Sequence, residues 1–271
     1  MGNELTVNTQ ADDVAMAFVS ARREARALHS YPGVKPEALQ TAYTIQDRAI
    51  VIDGRTVVGW KVGRINPPLD GQLGINRLSG PIFADSVIDA ADGTVPDMPV
   101  FEGGFAAGEA EMLLHVAPGF SGAVPTDDAG TRLLLDDVRL GIEIASSPYP
   151  GINTDGPLVT VSDFGNNAGL VQGPALDGWR DLDLCAIRVR SEIDDAVVGT
   201  ATAANMLDGP YGAVRFLLNH LIERGVDVSE GLWVSTGAIT GVHEIRIGQA
   251  FTAIFEGCGD VRCRVVAATP R

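Results

Sequence analysis

The sequence has little cysteine, few aromatic residues and a shortage of positive charge. Its 271 residues include three cysteines, and Phe, Trp and Tyr together make up 6%. Cys185, Cys258 and Cys263 are too few and too scattered for a disulfide framework. Within one strand, Cys258 and Cys263 would point to opposite faces, so no clip between them is expected. Lys and Arg number 20 against 35 Asp and Glu, a formal net charge of −15. Nucleic acid and anionic membrane, which both need a cationic face, are therefore not expected as partners. A small anionic substrate remains open, because a local cation outweighs a distant field. No run approaches the roughly 18 apolar residues of a membrane span. Residues 1–13 are polar, without the apolar core of a signal peptide. A reducing, cytoplasmic setting is the expectation.

Several signatures are also missing. The sequence has no G-x-x-x-x-G-K-[ST] phosphate loop, no G-x-G-x-x-G fingerprint, no G-x-S-x-G elbow and no EF-hand loop. Nucleotide-dependent chemistry and serine hydrolysis lose their usual sequence support. What is present is a globular composition, 45% apolar and 20% charged, which argues against disorder and for a real core.

The spacing of Val14, Ala17, Phe18, Ala21, Ala25 and Leu28 predicts an amphipathic helix over residues 12–28, with Arg22, Arg23, Glu24 and Arg26 on its outer face. A second helix is expected over 36–52, stopped by Asp53-Gly54. Beyond Arg55 the texture changes. Short apolar runs at 56–63, 80–88, 109–116, 138–145, 184–193, 232–236 and 251–256 alternate with Gly, Pro and Asp and read as strands. A late helix is expected over 210–224, with Gly225 as its stop. The coarse division is a small helical and mixed N-terminal part, residues 1–80, and a strand-rich body, residues 81–271.

The strongest chemical signal is Gly108-Glu109-Ala110-Glu111-Met112-Leu113-Leu114. On a strand, Glu109 and Glu111 project to one face about 7 Å apart. Two like charges at that distance repel by roughly 2 kcal/mol at an effective dielectric near 20. The pair is tolerable on a solvated face, with one group protonated, or with a cation between them. A third acid, Glu143, stands at the centre of the apolar run Leu140-Gly141-Ile142-Glu143-Ile144-Ala145, where an unpartnered carboxylate is rare. Three converging glutamates would make an all-oxygen site for a hard divalent cation, Mg²⁺ or Mn²⁺. None of the four histidines belongs to a metal-binding pair, and His115 reads as a plain strand residue. Lys61, inside Val58-Gly59-Trp60-Lys61-Val62-Gly63, either snorkels to an edge or is held for a purpose. Asp85, ending the run Ile82-Phe83-Ala84, reads either as a turn aspartate or as a functional acid.

Taken together, Gly59-Trp60-Lys61-Val62-Gly63, Glu109-Ala110-Glu111 and Leu140-Gly141-Ile142-Glu143-Ile144 resemble the 2-oxopent-4-enoate hydratase and 4-oxalocrotonate decarboxylase family of the fumarylacetoacetate hydrolase superfamily. The likeness continues through Thr160-Val161-Ser162-Asp163, Asn167 to Gly173 and Val234-Ser235-Thr236-Gly237-Ala238. It implies an α+β fold with a mixed β-roll core and a smaller helical N-terminal part, in a homo-oligomer. It also implies Glu109, Glu111 and Glu143 as ligands of Mg²⁺ or Mn²⁺, and Lys61 and Asp85 as catalytic groups beside the substrate. Arg64, Asn166, Asn167 and Thr236 are the expected substrate-binding residues. Two stretches depart from the family pattern: Arg64-Ile65-Asn66 after the lysine strand, and Phe164-Gly165-Asn166-Asn167 after Asp163. The implied activity is metal-dependent hydration of a 2-hydroxy-2,4-dienoate or 2-oxo-enoate. Decarboxylation of an oxalocrotonate-like diacid and hydrolysis of an acylpyruvate are the chemical alternatives, and a catalytically silent binding protein of the same fold is the non-enzymatic one. Arg64 is the residue that could grip a second carboxylate.

Overall fold

Each apolar run singled out beyond Arg55 contains a strand in the computed structural model, which describes residues 2–271, with side chains from Thr9 onward. The helices are α1 (Gly2–Arg23), α2 (Leu39–Asp53), α3 (Leu69–Leu73), α4 (Asp128–Leu133), α5 (Pro157–Ser162) and α6 (Gly209–Glu223). The first strands are β1 (Val57–Arg64), β2 (Arg77–Phe83), β3 (Val87–Asp89), β4 (Asp97–Val100), β5 (Phe105–Val116), β6 (Leu135–Ser147) and β7 (Asn167–Ala175). They are followed by β8 (Arg188–Ile193), β9 (Ala196–Thr202), β10 (Leu232–Ser235), β11 (His243–Glu244), β12 (Ala250–Phe255) and β13 (Gly259–Ala267).

Two sheets result. An eight-stranded sheet runs β2-β1-β10-β5-β6-β7-β3, with β11 also paired to β5, and a five-stranded sheet runs β4-β13-β12-β8-β9. Both mix parallel and antiparallel pairs, so the fold is α+β with a mixed core. The period of two along β5 and β6 decides what each face does. Ala110, Met112 and Leu114 of β5, with Leu140, Ile142 and Ile144 of β6, enter the main core. There they meet Phe251, Phe255 and Cys263 of the second sheet and Leu217, Leu218 and Leu221 of α6. The intervening residues, Glu109, Glu111 and Glu143, face the other way. Glu109 stands directly opposite Glu143 across the β5–β6 pair.

The helix expectations hold within a few residues at most ends. α2 stops where Gly54 turns left-handed, at a φ of 71°, and donates its N–H to the Ile50 carbonyl. α1 begins earlier than expected and ends at Arg23, with Ala25 in the left-handed region at a φ of 50°. Arg22 corrects the sequence reading: it is buried, not on an outer face. Its Nε donates to Asp163 Oδ1 at 2.6 Å, and its other nitrogens reach the carbonyls of Ser146 and Asn167. A periodicity argument places an arginine by its charge, and here a buried carboxylate outweighs that preference. The boundary expected at residue 80 falls inside β2, and β1 and β2 are both part of the eight-stranded sheet. The three cysteines are free, as expected. No helix among the described residues is long and apolar enough to cross a membrane.

Candidate metal centre

The cross-strand register brings the three glutamates together. One carboxylate oxygen from each of Glu109, Glu111 and Glu143 lies within 4.8 Å of the others. Glu111 and Glu143 are completely buried, and Glu109 is 5% exposed. Two carboxylates at 4.8 Å repel by about 3 kcal/mol at an effective dielectric of 20, before any desolvation is counted. A site that collects three of them out of water needs compensation.

Part of that compensation is Lys61, which is also buried and holds its Nζ 3.2 Å from Glu143 Oε2. β1 reaches the cluster through β10, which lies between β1 and β5. Across β2, Gly80 pairs with Lys61, and a Cβ at Gly80 would overlap the Phe164 carbonyl. That glycine lets the Phe164–Asn166 turn close over the lysine stem. Further support comes from neutral donors. Ser235 Oγ and the Gly237 N–H both donate to Glu111 Oε2, and Asn167 Nδ2 donates to Glu143 Oε1 at 2.9 Å.

Even so, Glu111 Oε1 accepts no hydrogen bond, and Glu143 Oε2 accepts none of good alignment although the Lys61 ammonium is near. Burial pushes the Glu109 carboxyl up to about 7, with Lys61 opposing and Glu143 adding to the rise. Burial, then Glu143 and Glu109, also push Glu111 well above the usual carboxylate range. Burial alone would lower Lys61, but the three surrounding glutamates outweigh it and raise the ammonium above its usual value. Three carboxylates and one ammonium leave two negative charges, which a divalent cation balances. Two buried oxygens aimed into the cluster without good hydrogen bonds, in an all-oxygen donor set, fit Mg²⁺ or Mn²⁺.

A cavity of roughly 610 Å³ opens onto this cluster and is lined in part by Lys61, Glu109, Arg64, Asn166 and Thr236. Glu111 and Glu143 are fully buried and are not part of that lining. Arg64 is exposed and has no hydrogen bond or ion pair among the described residues. Asn166 takes a left-handed φ of 67°, and its buried Oδ1 has no partner. Thr236 donates its hydroxyl to the Met112 carbonyl at 2.8 Å. Asn167 supports Glu143 instead of lining the main cavity.

Asp85 corrects the expectation for that residue. It lies in the short turn after β2, pairs with Arg55 at 3.2 Å and Arg271 at 3.6 Å, and borders a separate cavity of roughly 320 Å³. The β2 strand carries it past the lysine, and two arginines hold it at the surface. His115 is outside the cluster as well, with Nδ1 2.6 Å from Asp136. Sequence reasoning gave no role to Ser235, Gly237 or Arg77. The first two fall within a stretch quoted for the resemblance, but a donor aimed at a carboxylate 124 residues earlier in the chain leaves no local signal.

No family model matches the chain. It is 27% identical over 256 residues to a 4-oxalocrotonate decarboxylase of Pseudomonas putida, covering 91% of this chain and 93% of that protein. It is 26% identical over 226 residues to 2-keto-4-pentenoate hydratase 2 of Dechloromonas aromatica, covering 82% of this chain and 84% of that protein. Among solved structures it resembles 4-oxalocrotonate decarboxylase from Pseudomonas putida G7 complexed with magnesium and adipate, with a TM-score of 0.76 and 22% identity over 95% of this chain and 98% of that one. Fumarylpyruvate hydrolase from Pseudomonas aeruginosa, in complex with Mn²⁺ and pyruvate, gives a TM-score of 0.57 at 16% identity over 79% of this chain and 91% of that one. The chain thus has homologues named as oxalocrotonate decarboxylase and ketopentenoate hydratase, and its fold is fumarylacetoacetate hydrolase-like.

Proposed function

We propose that this protein is a divalent-metal-dependent lyase that hydrates a 2-hydroxy-2,4-dienoate, or the 2-oxo-enoate it gives, to a 4-hydroxy-2-oxo acid. The observation that carries the reading is the buried Glu109–Glu111–Glu143 cluster with Lys61 on it, in a chain homologous to such hydratases. The glutamates would hold Mg²⁺ or Mn²⁺, which when bound supplies Lewis-acid stabilisation for a 2-oxo acid head. Lys61 lines the same cavity and brings a positive charge to it beside Glu143. The overall reaction needs a proton delivered to the far end of the dienol, then water added at C4 with its proton passed to C3. Lys61 is the residue we assign to proton delivery. Asn166 and Thr236 border the space a substrate would occupy. Asn167 fixes the orientation of Glu143. In this reading the enzyme works in the cytoplasm on a small 2-oxo or 2-hydroxy-enoic acid and as a homo-oligomer.

Decarboxylation of an oxalocrotonate-like diacid is the second reading, favoured by the likeness to the Pseudomonas putida decarboxylase. Offering 2-hydroxypentadienoate and oxalocrotonate in parallel with Mg²⁺ separates the two. Incorporation of water into a 4-hydroxy product supports hydration, and CO₂ release supports decarboxylation. Failure of both substrates, together with absence of any Mg²⁺ or Mn²⁺ stabilisation, would leave a silent protein of the same fold.

A further inference from the structure

Three consecutive residues, Phe164, Gly165 and Asn166, take left-handed backbone conformations, with φ of 53°, 62° and 67°. For Phe and Asn this region is unfavourable, because Cβ crowds the following carbonyl, and such a run persists only where its surroundings over-determine it. Arg22 of α1 supplies much of that constraint. It is buried, and its guanidinium spans the turn from end to end. At one end Nε donates to Asp163 Oδ1 at 2.6 Å and Nη2 to Oδ2 at 3.0 Å. At the other, Nη1 donates to the Asn167 carbonyl at 3.1 Å. Nη2 also reaches the Ser146 carbonyl near the end of β6, and the guanidinium carbon stands 5.1 Å over the centre of the Phe164 ring.

The turn touches the site at two points. Gly165 packs on the lysine stem: a Cβ there would come within 3.3 Å of Lys61 Cδ. Asn167, which leaves the turn as the first residue of β7, donates Nδ2 to Glu143 Oε1 at 2.9 Å. Lys61 Nζ and Glu143 Oε2 are themselves 3.2 Å apart. Arg22 borders the smaller cavity and not the main one, so it acts through the turn and not on a substrate. We propose that Arg22 is a positioning residue for the carboxylate cluster: by clamping both ends of the left-handed turn, it fixes Asn167 against Glu143 and Gly165 against Lys61. The task needs a rigid fork of donors, which a lysine ammonium lacks. Two consequences, in metal affinity and in turnover, rest on the proposed function; the third, the rigidity of the turn, does not.

Two variants separate positioning from stability. Arg22→Lys keeps an ion pair with Asp163 but not the fork, and Arg22→Leu with Asp163→Leu removes the two buried charges together. In each, amide hydrogen exchange at Asn166 and Asn167 is followed in metal-free protein, and Mn²⁺ affinity is measured by calorimetric titration. kcat and KM are measured with whichever of 2-hydroxypentadienoate and oxalocrotonate the wild type consumes. Relative to wild type, exchange in the turn should quicken roughly tenfold or more, while the central amides of β5 and β6 change less. Mn²⁺ affinity should fall roughly ten- to a hundredfold, and kcat by a similar factor with a smaller change in KM. These losses should persist in the double variant even where urea unfolding shows it more stable than Arg22→Leu alone. Wild-type exchange in the turn, or wild-type Mn²⁺ affinity, in either variant would overturn the proposal. If the wild type binds no Mn²⁺ and consumes neither substrate, the proposed function fails, and exchange alone decides whether Arg22 holds the turn.

Discussion

Glu109 sets burial against metal binding, and the conflict has a measurable sign. Its carboxyl is pushed up to about 7 from an ordinary 4.5, chiefly by burial. A carboxylate raised in this way is the reverse of the usual stabilising acid. Below pH 4.5 both folded and unfolded chains hold the proton, and Glu109 contributes nothing to pH dependence. Between 4.5 and 7 the folded chain keeps a proton that the unfolded chain has released, so stability falls as pH rises, by about 1.4 kcal/mol per unit. Above 7 the full penalty, about 3 kcal/mol, is present. His220, which burial lowers to about 4, slopes the other way up to its ordinary 6.5, so the raw pH profile of the wild type mixes both.

Glu109→Gln isolates the effect, because His220 is common to both proteins. In chelator-treated protein at pH 8 the variant is expected to be more stable by about 3 kcal/mol, or roughly 5–10 °C in melting temperature, and near pH 4.5 the two should coincide. Saturating Mg²⁺ should reverse the order. At a thousandfold excess over its Kd a cation adds about 4.1 kcal/mol to the protein that binds it, more than the penalty of about 3 kcal/mol, and the variant lacks one ligand. Thermal denaturation at both pH values, with and without Mg²⁺, reads all of these outcomes. A variant already less stable than wild type in metal-free buffer at pH 8, or one stabilised equally by Mg²⁺, would refute the reasoning.

The remaining expectations concern neighbouring groups. Glu143→Gln should lose both Mg²⁺- or Mn²⁺-dependent stabilisation and turnover while its far-UV circular dichroism stays native; full activity would remove Glu143 from the site. Lys61→Met should lower kcat by roughly a hundredfold or more through loss of proton transfer, with a smaller change in the Mg²⁺ binding midpoint. A kcat equal to wild type would end the catalytic assignment of Lys61. Arg22→Leu strands the buried Asp163 carboxylate and should cost about 3–5 kcal/mol in urea unfolding, part of which the double variant Arg22→Leu with Asp163→Leu recovers. A loss below about 1 kcal/mol in the single variant would show that the pair is not a structural tie.

How much of this was legible in the sequence depends on the range of the interaction. β5 and β6 announced themselves because apolar runs with isolated acids have a period that any partner strand must respect. β13 was missed although Val261, Cys263 and Val265 alternate with Asp260, Arg262 and Arg264, a pattern as regular as the others but diluted by charge. β9 and β11 carry no such pattern; one is largely exposed and the other is two residues long. Arg22 was misplaced for a related reason. Its helix face is set by the carboxylate of Asp163, 141 residues away, and no local periodicity encodes that distance.

The site shows the same limit from the other side. Glutamates in apolar strands are costly enough to be conspicuous singly, so Glu109, Glu111 and Glu143 could be picked out before their convergence was known. Register then did what sequence could not, setting Glu109 against Glu143 and bringing Lys61 to 3.2 Å from Glu143. Asp85 failed the same test because an acid at the end of a strand is cheap: a surface turn and two arginines satisfy it without any substrate. The informative charges in this chain are those whose positions the fold alone would penalise.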